Sequence, residues 1–139
     1  DMAERYHKEL IIAEVSMGFT MEDYAAYERL APSERKGMAT RQELVDRIEF
    51  PMTKEGQRDF MKELFRRLKQ VPEHLARGFF YWEPAWIPVE GSGWATKSSL
   101  AYIEDPGPCG NEWANQALFD YEGHALPSLA AIRDYQPEI

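Results

Sequence analysis

Two glutamates stand at comparable points of the chain. Glu14 closes the apolar run Leu10, Ile11, Ile12, Ala13, and Glu83 closes Gly78 to Trp82. The C-terminal end of a strand is where α/β folds bind their ligands. Glycoside hydrolysis needs two carboxyl groups flanking the scissile bond, about 5 to 5.5 Å apart for retention and about 6.5 Å or more for inversion. Four tryptophans, Trp82, Trp86, Trp94 and Trp113, fall at or beyond the end of the second run. A hexose offers patches of C–H to indole faces and hydroxyls to Asn, Gln, Glu and indole N–H groups, so this distribution suits a sugar groove. The same residues also have plainer readings. Either glutamate could be a strand-terminal charge paired with Arg or Lys, and each tryptophan could simply pack a loop onto the core. His7, His74 and His124 sit among charged or turn residues and read as surface histidines, and Asp105 and Asp120 read as turn formers. Residue types alone give a pocket without naming a reaction.

These groups need strands and helices to hold them. Leu10 to Ala13 is short and rich in β-branching, which suits a strand buried on both faces, the habit of parallel sheets. Asp1 to Lys8 before it resembles the tail of a helix. From Ser16 to Met52 runs an elaborated connection with two short helix candidates. One is bracketed by Thr20 and Asp23 before Tyr24, Tyr27 and Leu30; the other is opened by the capping box Thr40 and Glu43 before Leu44, Val45 and Ile48. The clearest helix follows, capped by Thr53, with Phe60, Met61, Leu64, Phe65, Leu68 and Val71 on one face and Lys62, Glu63, Arg66, Arg67 and Lys69 on the other. Gly78 to Trp82 is a second strand, with Phe79 and Phe80 as core. Ile87 to Asn111 is a turn-rich loop with one helical turn near Ser98 to Ile103. A turn at Glu122 and Gly123 precedes a final helix opened by Pro127. The order β, long loop, α, β, long loop, α predicts parallel strands joined by crossovers, with the enlarged loops following strands. Loops in that position build the active site of the eight-stranded α/β barrel. Two strands cannot close such a barrel, so on this architecture the chain is its last quarter with large loops.

The totals narrow the partners. The 139 residues amount to one domain at most, and the 44% apolar fraction can bury a core. A net charge of −8 repels nucleic acid and anionic membranes at long range, leaving a neutral ligand as the expectation. The single cysteine, Cys109, forms no internal disulfide, and no paired Cys/His metal motif is present. No run approaches the roughly 20 apolar residues of a membrane span.

Four motifs, in order, carry a resemblance: "IIAEVS" at Ile11 to Ser16, "FPMTKEGQRDFM" at Phe50 to Met61, "GFFYWEPAWIPVEGSGW" at Gly78 to Trp94, and "EWANQALFDYEGHALPSL" at Glu112 to Leu129. Together they resemble the C-terminal part of glycoside hydrolase family 53, the endo-β-1,4-galactanases that cleave galactan and arabinogalactan. The combination of "YWEPAW", "NQALFD" and "ALPSL" is far more specific than any one short motif. The resemblance implies a (β/α)8 barrel of which residues 1–139 are a fragment of one catalytic domain, supplying strands 7 and 8 with their loops and helices. It implies a retaining mechanism with Glu14 as nucleophile and an acid/base glutamate on the fourth strand, a motif that no residue here matches. It implies that Trp82 floors the subsite of the attacked sugar, that Glu83 and Trp86 shape the same wall, and that Trp94 and Trp113 border the cleft.

Further expectations follow from the resemblance. Relatives often carry Trp or Tyr shortly after the nucleophile, where this chain has Met17 and Phe19, so the stacking surface there should differ. No cofactor is required. Some bacterial relatives hold a structural calcium in this region, and Glu22, Asp23 or Asp105 would be its ligands here, although the segment lacks clustered acidic residues at alternate positions. The expected partners are a neutral galactan-type polysaccharide and the remaining N-terminal part of the barrel, with secretion, the periplasm or the cell surface as location. The fragment alone should be inactive and should expose strand edges. A rival reading is a carbohydrate-binding module that uses the four tryptophans as a stacking platform without catalysis.

Overall fold

The computed structural model describes residues 2–22, 42–87, 97–102 and 113–136. Trp94, Asp23, Asp105, Cys109 and the helix expected around Tyr24 to Leu30 lie outside these residues. Helix α1 (Met2–Tyr6) leads into strand β1 (Leu10–Val15), and α2 (Gln42–Val45) and α3 (Lys54–Lys69) precede strand β2 (Ala76–Tyr81). Two short helices follow, α4 (Lys97–Tyr102) and α5 (Pro127–Arg133). The two strands pair in parallel, as the alternating order requires of a connection that carries a helix.

Helix α3 forms where its period and cap predict. The Thr53 hydroxyl accepts the N–H of Gly56 at 3.0 Å, satisfying one of the helix's free donors. Met61, Phe65 and Leu68, spaced i, i+4 and i+7, are buried, and Gln57 extends that stripe by one turn. The helix packs on α5 and β2. Phe65 stacks on Tyr135 with centroids 4.3 Å apart and lies 5.7 Å from Phe79. Gly56 is required by proximity, because a Cβ there would stand 1.9 Å from the Pro51 carbonyl oxygen. Gly56→Ala is therefore expected to lower the melting temperature, although alanine is the better helix former by about 1 kcal/mol; an unchanged or raised melting temperature would contradict the clash.

Within the described residues the strands are not buried on both faces as expected: Phe79 faces α3, but Phe80 is 65% exposed and Ile11 59% exposed, so Phe80 is not part of the core they form. The reason is layering: the described helices that touch the sheet cover one of its faces, and alternate side chains point to the other.

The register holds two irregularities. From Ile12↔Phe79 to Val15↔Tyr81, three steps along β1 run beside two along β2. Ile12 and Val15 share a face with their partners Phe79 and Tyr81, on the α3 side. The extra residue leaves Ala13 and Glu14 in succession, both exposed. Strict alternation from Ile12 would turn Glu14 toward α3; the bulge turns it to the open face. The second irregularity adds a residue to β2 between Ala76 and Gly78, where Gly78 has a φ of 149°, a backbone conformation that favours glycine.

Before α5 the chain makes the expected turn, organised by Asp120. Its carboxylate accepts the N–H of Glu122 at 3.2 Å and of His124 at 2.8 Å, and the Lys54 ammonium at 2.9 Å. Lys54 first, with the His124 N–H, holds the Asp120 carboxyl well below its ordinary value, at about 2. A folded value below the unfolded one means that this contribution to stability is full above about pH 4 and is lost as pH falls through about 2. Melting curves down that range should show a steeper acid decline for the parent than for Asp120→Asn; parallel curves would remove the turn from the acid response.

Candidate active site

Beyond the C-terminal ends of the two strands lies a cleft of about 500 Å³ lined by Glu14, Val15, Ser16, Trp82, Trp113 and Gln116. Three separate segments converge on it. The bulge turns Glu14 out. The N–H of Trp82 donates to the Val15 carbonyl at 2.8 Å, continuing the parallel ladder by one bond and setting the indole beside the glutamate's segment. Trp82 follows Tyr81 and so points away from α3, and it is 44% exposed.

The third segment is a 3₁₀ turn, Ala114–Gln116, whose residues are all buried. The N–H of Gln116 donates to the Trp113 carbonyl at 2.9 Å, and the Gln116 carbonyl accepts the Tyr81 hydroxyl at 2.8 Å. The Ser16 hydroxyl donates to Gln116 Oε1 at 2.6 Å. Ser16 lies two residues past Glu14 and Tyr81 one before Trp82, so the turn is bonded to the immediate neighbours of both cleft residues.

Gln57 fastens this assembly from below. It is fully buried; its amide nitrogen donates to the carbonyls of Met17 at 2.8 Å and Ala117 at 2.9 Å, and its oxygen accepts the Ser128 hydroxyl at 2.5 Å. One side chain of α3 thereby ties the segment after β1, the turn before Ala117 and α5. The Tyr81 phenol lies in the same knot, within 3.4 Å of Gln57 Nε2, and burial pushes it up to about 12. Here the folded value exceeds the unfolded one of about 10, so this contribution is full below about pH 10 and is lost as pH rises through about 12. Tyr81→Phe should flatten the alkaline limb of a melting-temperature profile; an identical limb would show that other groups govern it.

The expected residues divide. Glu14, Trp82 and Trp113 meet in the cleft, while Glu83 and Trp86 are not among its lining residues. Glu83 is exposed, lies two residues past the end of β2 and has a left-handed φ of 51°. Trp86 is half-buried, its N–H donating to the Glu83 carbonyl at 3.4 Å. Met17 and Phe19 are core, at 5% and 4% exposure, so they offer no stacking surface; Phe19 meets Tyr121 edge-on. Of the carboxylates named for calcium, only Glu22 is described, and its contacts are through its main chain, to the Thr20 hydroxyl and the Tyr121 hydroxyl. Asp120, Glu122 and His124 lie close together, but Lys54 and two N–H groups already occupy the Asp120 oxygens. Asp23 and Asp105 lie outside the described residues, and no step below uses a calcium ion. Residue type alone gives Ser16, Gln116 and Gln57 no role in the site, although all three fall inside the motifs "IIAEVS", "NQALFD" and "FPMTKEGQRDFM".

Parallel strands with a carboxylate and two indoles grouped past their C-terminal ends define an α/β protein with a cleft at the strand ends. The family model "Glycosyl hydrolase family 53" matches residues 1–132, and the chain belongs to that family. It is 32% identical over 133 residues to an uncharacterised protein of Niallia circulans, covering 96% of this chain and 31% of that one. It is 32% identical over 150 residues to "Endo-beta-1,4-galactanase" of Bacillus subtilis (strain 168), covering 95% of this chain and 32% of that one. Among solved structures it resembles the "Ignisphaera aggregans GH53 catalytic domain", with a TM-score of 0.72 and 31% identity over 94% of this chain and 31% of that one. It also resembles a structure of fungal β-1,4-galactanases, with a TM-score of 0.51 and 25% identity over 96% of this chain and 30% of that one. The chain thus spans about a third of the length of the relatives it matches. Among the described residues, no helix is long and apolar enough to cross a membrane.

Proposed function

We propose that this chain forms strands 7 and 8, with their loops and helices, of a (β/α)8 barrel that cleaves β-1,4-galactosidic bonds in galactan or arabinogalactan with retention. The observation that carries the reading is the meeting of Glu14 and Trp82 in one cleft past the ends of two parallel strands. Membership of family 53 and the galactanase relative support the substrate class. The strand edges left unpaired among the described residues and the exposed Ile11 and Phe80 support a sheet that continues into the rest of the barrel, and the longer polypeptide that closes it is the complete enzyme.

In this mechanism the indole of Trp82 receives the C–H face of a galactosyl unit and Trp113 borders it. The Glu14 carboxylate attacks the anomeric carbon as the bond to the leaving oxygen breaks. That oxygen takes a proton from a second glutamic acid, which the family carries on its fourth strand and for which this chain has no match. An α-linked glycosyl ester on Glu14 results. The second glutamate, now a base, takes a proton from water, water attacks the anomeric carbon, and Glu14 leaves as carboxylate with a β-configured product. Alone, the 139 residues hold one carboxylate of the pair and are inactive. A polymer too large for uptake places the enzyme outside the cytoplasm.

Product stereochemistry tests the reading. When the complete enzyme digests β-1,4-galactan under proton NMR, the β anomer of the new reducing end should appear first. The α anomer appearing first would mean inversion and would remove Glu14 as a nucleophile.

A further inference from the structure

We propose that Gln116 determines specificity in this cleft: its Nε2 amide donates a hydrogen bond to an oxygen of the sugar unit over Glu14, while Ser16 holds the amide in the orientation that permits it. The proposal rests on reading the cleft as a galactosyl site, and it concerns a residue to which that reading gives no role.

The geometry carries it. Gln116 is only 9% exposed, yet it lines the cleft. Its main chain is fixed on both sides, by the Trp113 carbonyl and the Tyr81 hydroxyl. Its side-chain oxygen is committed to Ser16 Oγ at 2.6 Å. In a carboxamide the nitrogen then points away from that bond, with two donors to place. Among the described residues no acceptor meets Nε2. It is not sealed in the interior either, because the buried side-chain nitrogen or oxygen atom without a partner there is Asn115 Oδ1. A held amide whose donors are left for the cleft is pre-organised for an acceptor supplied by a ligand.

The chemistry of that ligand follows. An amide nitrogen selects a lone pair, such as a hydroxyl or ring oxygen. A sugar bearing its own carboxylate would bring a second negative charge beside Glu14, so the site favours a neutral hexose. A sugar lacking the matching oxygen would leave the Gln116 donors unpaired once water is excluded.

The test uses the complete enzyme with Glu14→Gln to block turnover, titrated with galactotriose by calorimetry. Adding Gln116→Glu preserves shape and the acceptor for Ser16 but removes both donors, so affinity should fall about ten-fold with an unchanged melting temperature. Adding Ser16→Ala should weaken binding several-fold. If Gln116→Glu does not fold, monodeoxy galactotrioses decide: one position should weaken binding to the Glu14→Gln parent but not to its Ser16→Ala derivative. No such position, or equal affinity of folded Gln116→Glu and the parent, overturns the proposal alone. A parent that does not bind galactotriose overturns the galactosyl reading and this proposal with it.

Discussion

Glu14→Gln in the complete enzyme is expected to lower kcat on β-1,4-galactan by at least about a thousand-fold, or about 4 kcal/mol of transition-state stabilisation. Glutamine keeps the size and most of the polarity of the side chain but is a far poorer nucleophile toward an anomeric carbon. Glu14 lines the cleft rather than the core packed on α3, so the fold should not register the change. The melting temperature and the affinity for galacto-oligosaccharide should both stay close to parental values. That pattern also separates the hydrolase from a binding module, in which Glu14→Gln would leave every function intact. Near-parental kcat would take Glu14 out of the reaction.

The second large effect is on stability. Gln57→Leu is expected to cost about 3 to 5 kcal/mol, because it leaves the Ala117 carbonyl without a donor, the Met17 carbonyl with only the Tyr81 hydroxyl at 3.3 Å, and the Ser128 hydroxyl without its acceptor, in a buried region. Leucine fills much of the same volume, so the loss is mainly of hydrogen bonds rather than of packing. Denaturant titration of the complete enzyme measures it. Because those bonds fasten the segments bearing Ser16 and Gln116, activity at low temperature should fall as well. A variant with parental midpoint and activity would show that the knot is dispensable.

Much of this arrangement is legible in the residues. The stripe of Met61, Phe65 and Leu68, the Thr53 cap and the Pro127 start of the last helix each have a local cause, and the parallel pairing follows from the alternating order of the elements. The meeting of Glu14 with Trp82 and Trp113 follows from strand order, since the loops after parallel strands share one end of the sheet. Three features are not local. The bulge that turns Glu14 outward is a property of two strands in register, and alternation read along β1 alone points the other way. Gln57 is polar on an apolar stripe, and its partners lie 40, 60 and 71 residues away. The exposure of Phe80 depends on what covers the sheet, which the apolar character of the strand cannot reveal.

Trapping the covalent intermediate tests the central claim most directly. A 2-deoxy-2-fluoro galactobiosyl fluoride should inactivate the complete enzyme, because fluorine slows breakdown of the glycosyl ester more than the reactive leaving group lets its formation be slowed. Peptide mass spectrometry should then find the disaccharide on the fragment containing "LIIAEVS", attached to Glu14. A label on any other carboxylate, or inactivation without a covalent adduct, would contradict the account.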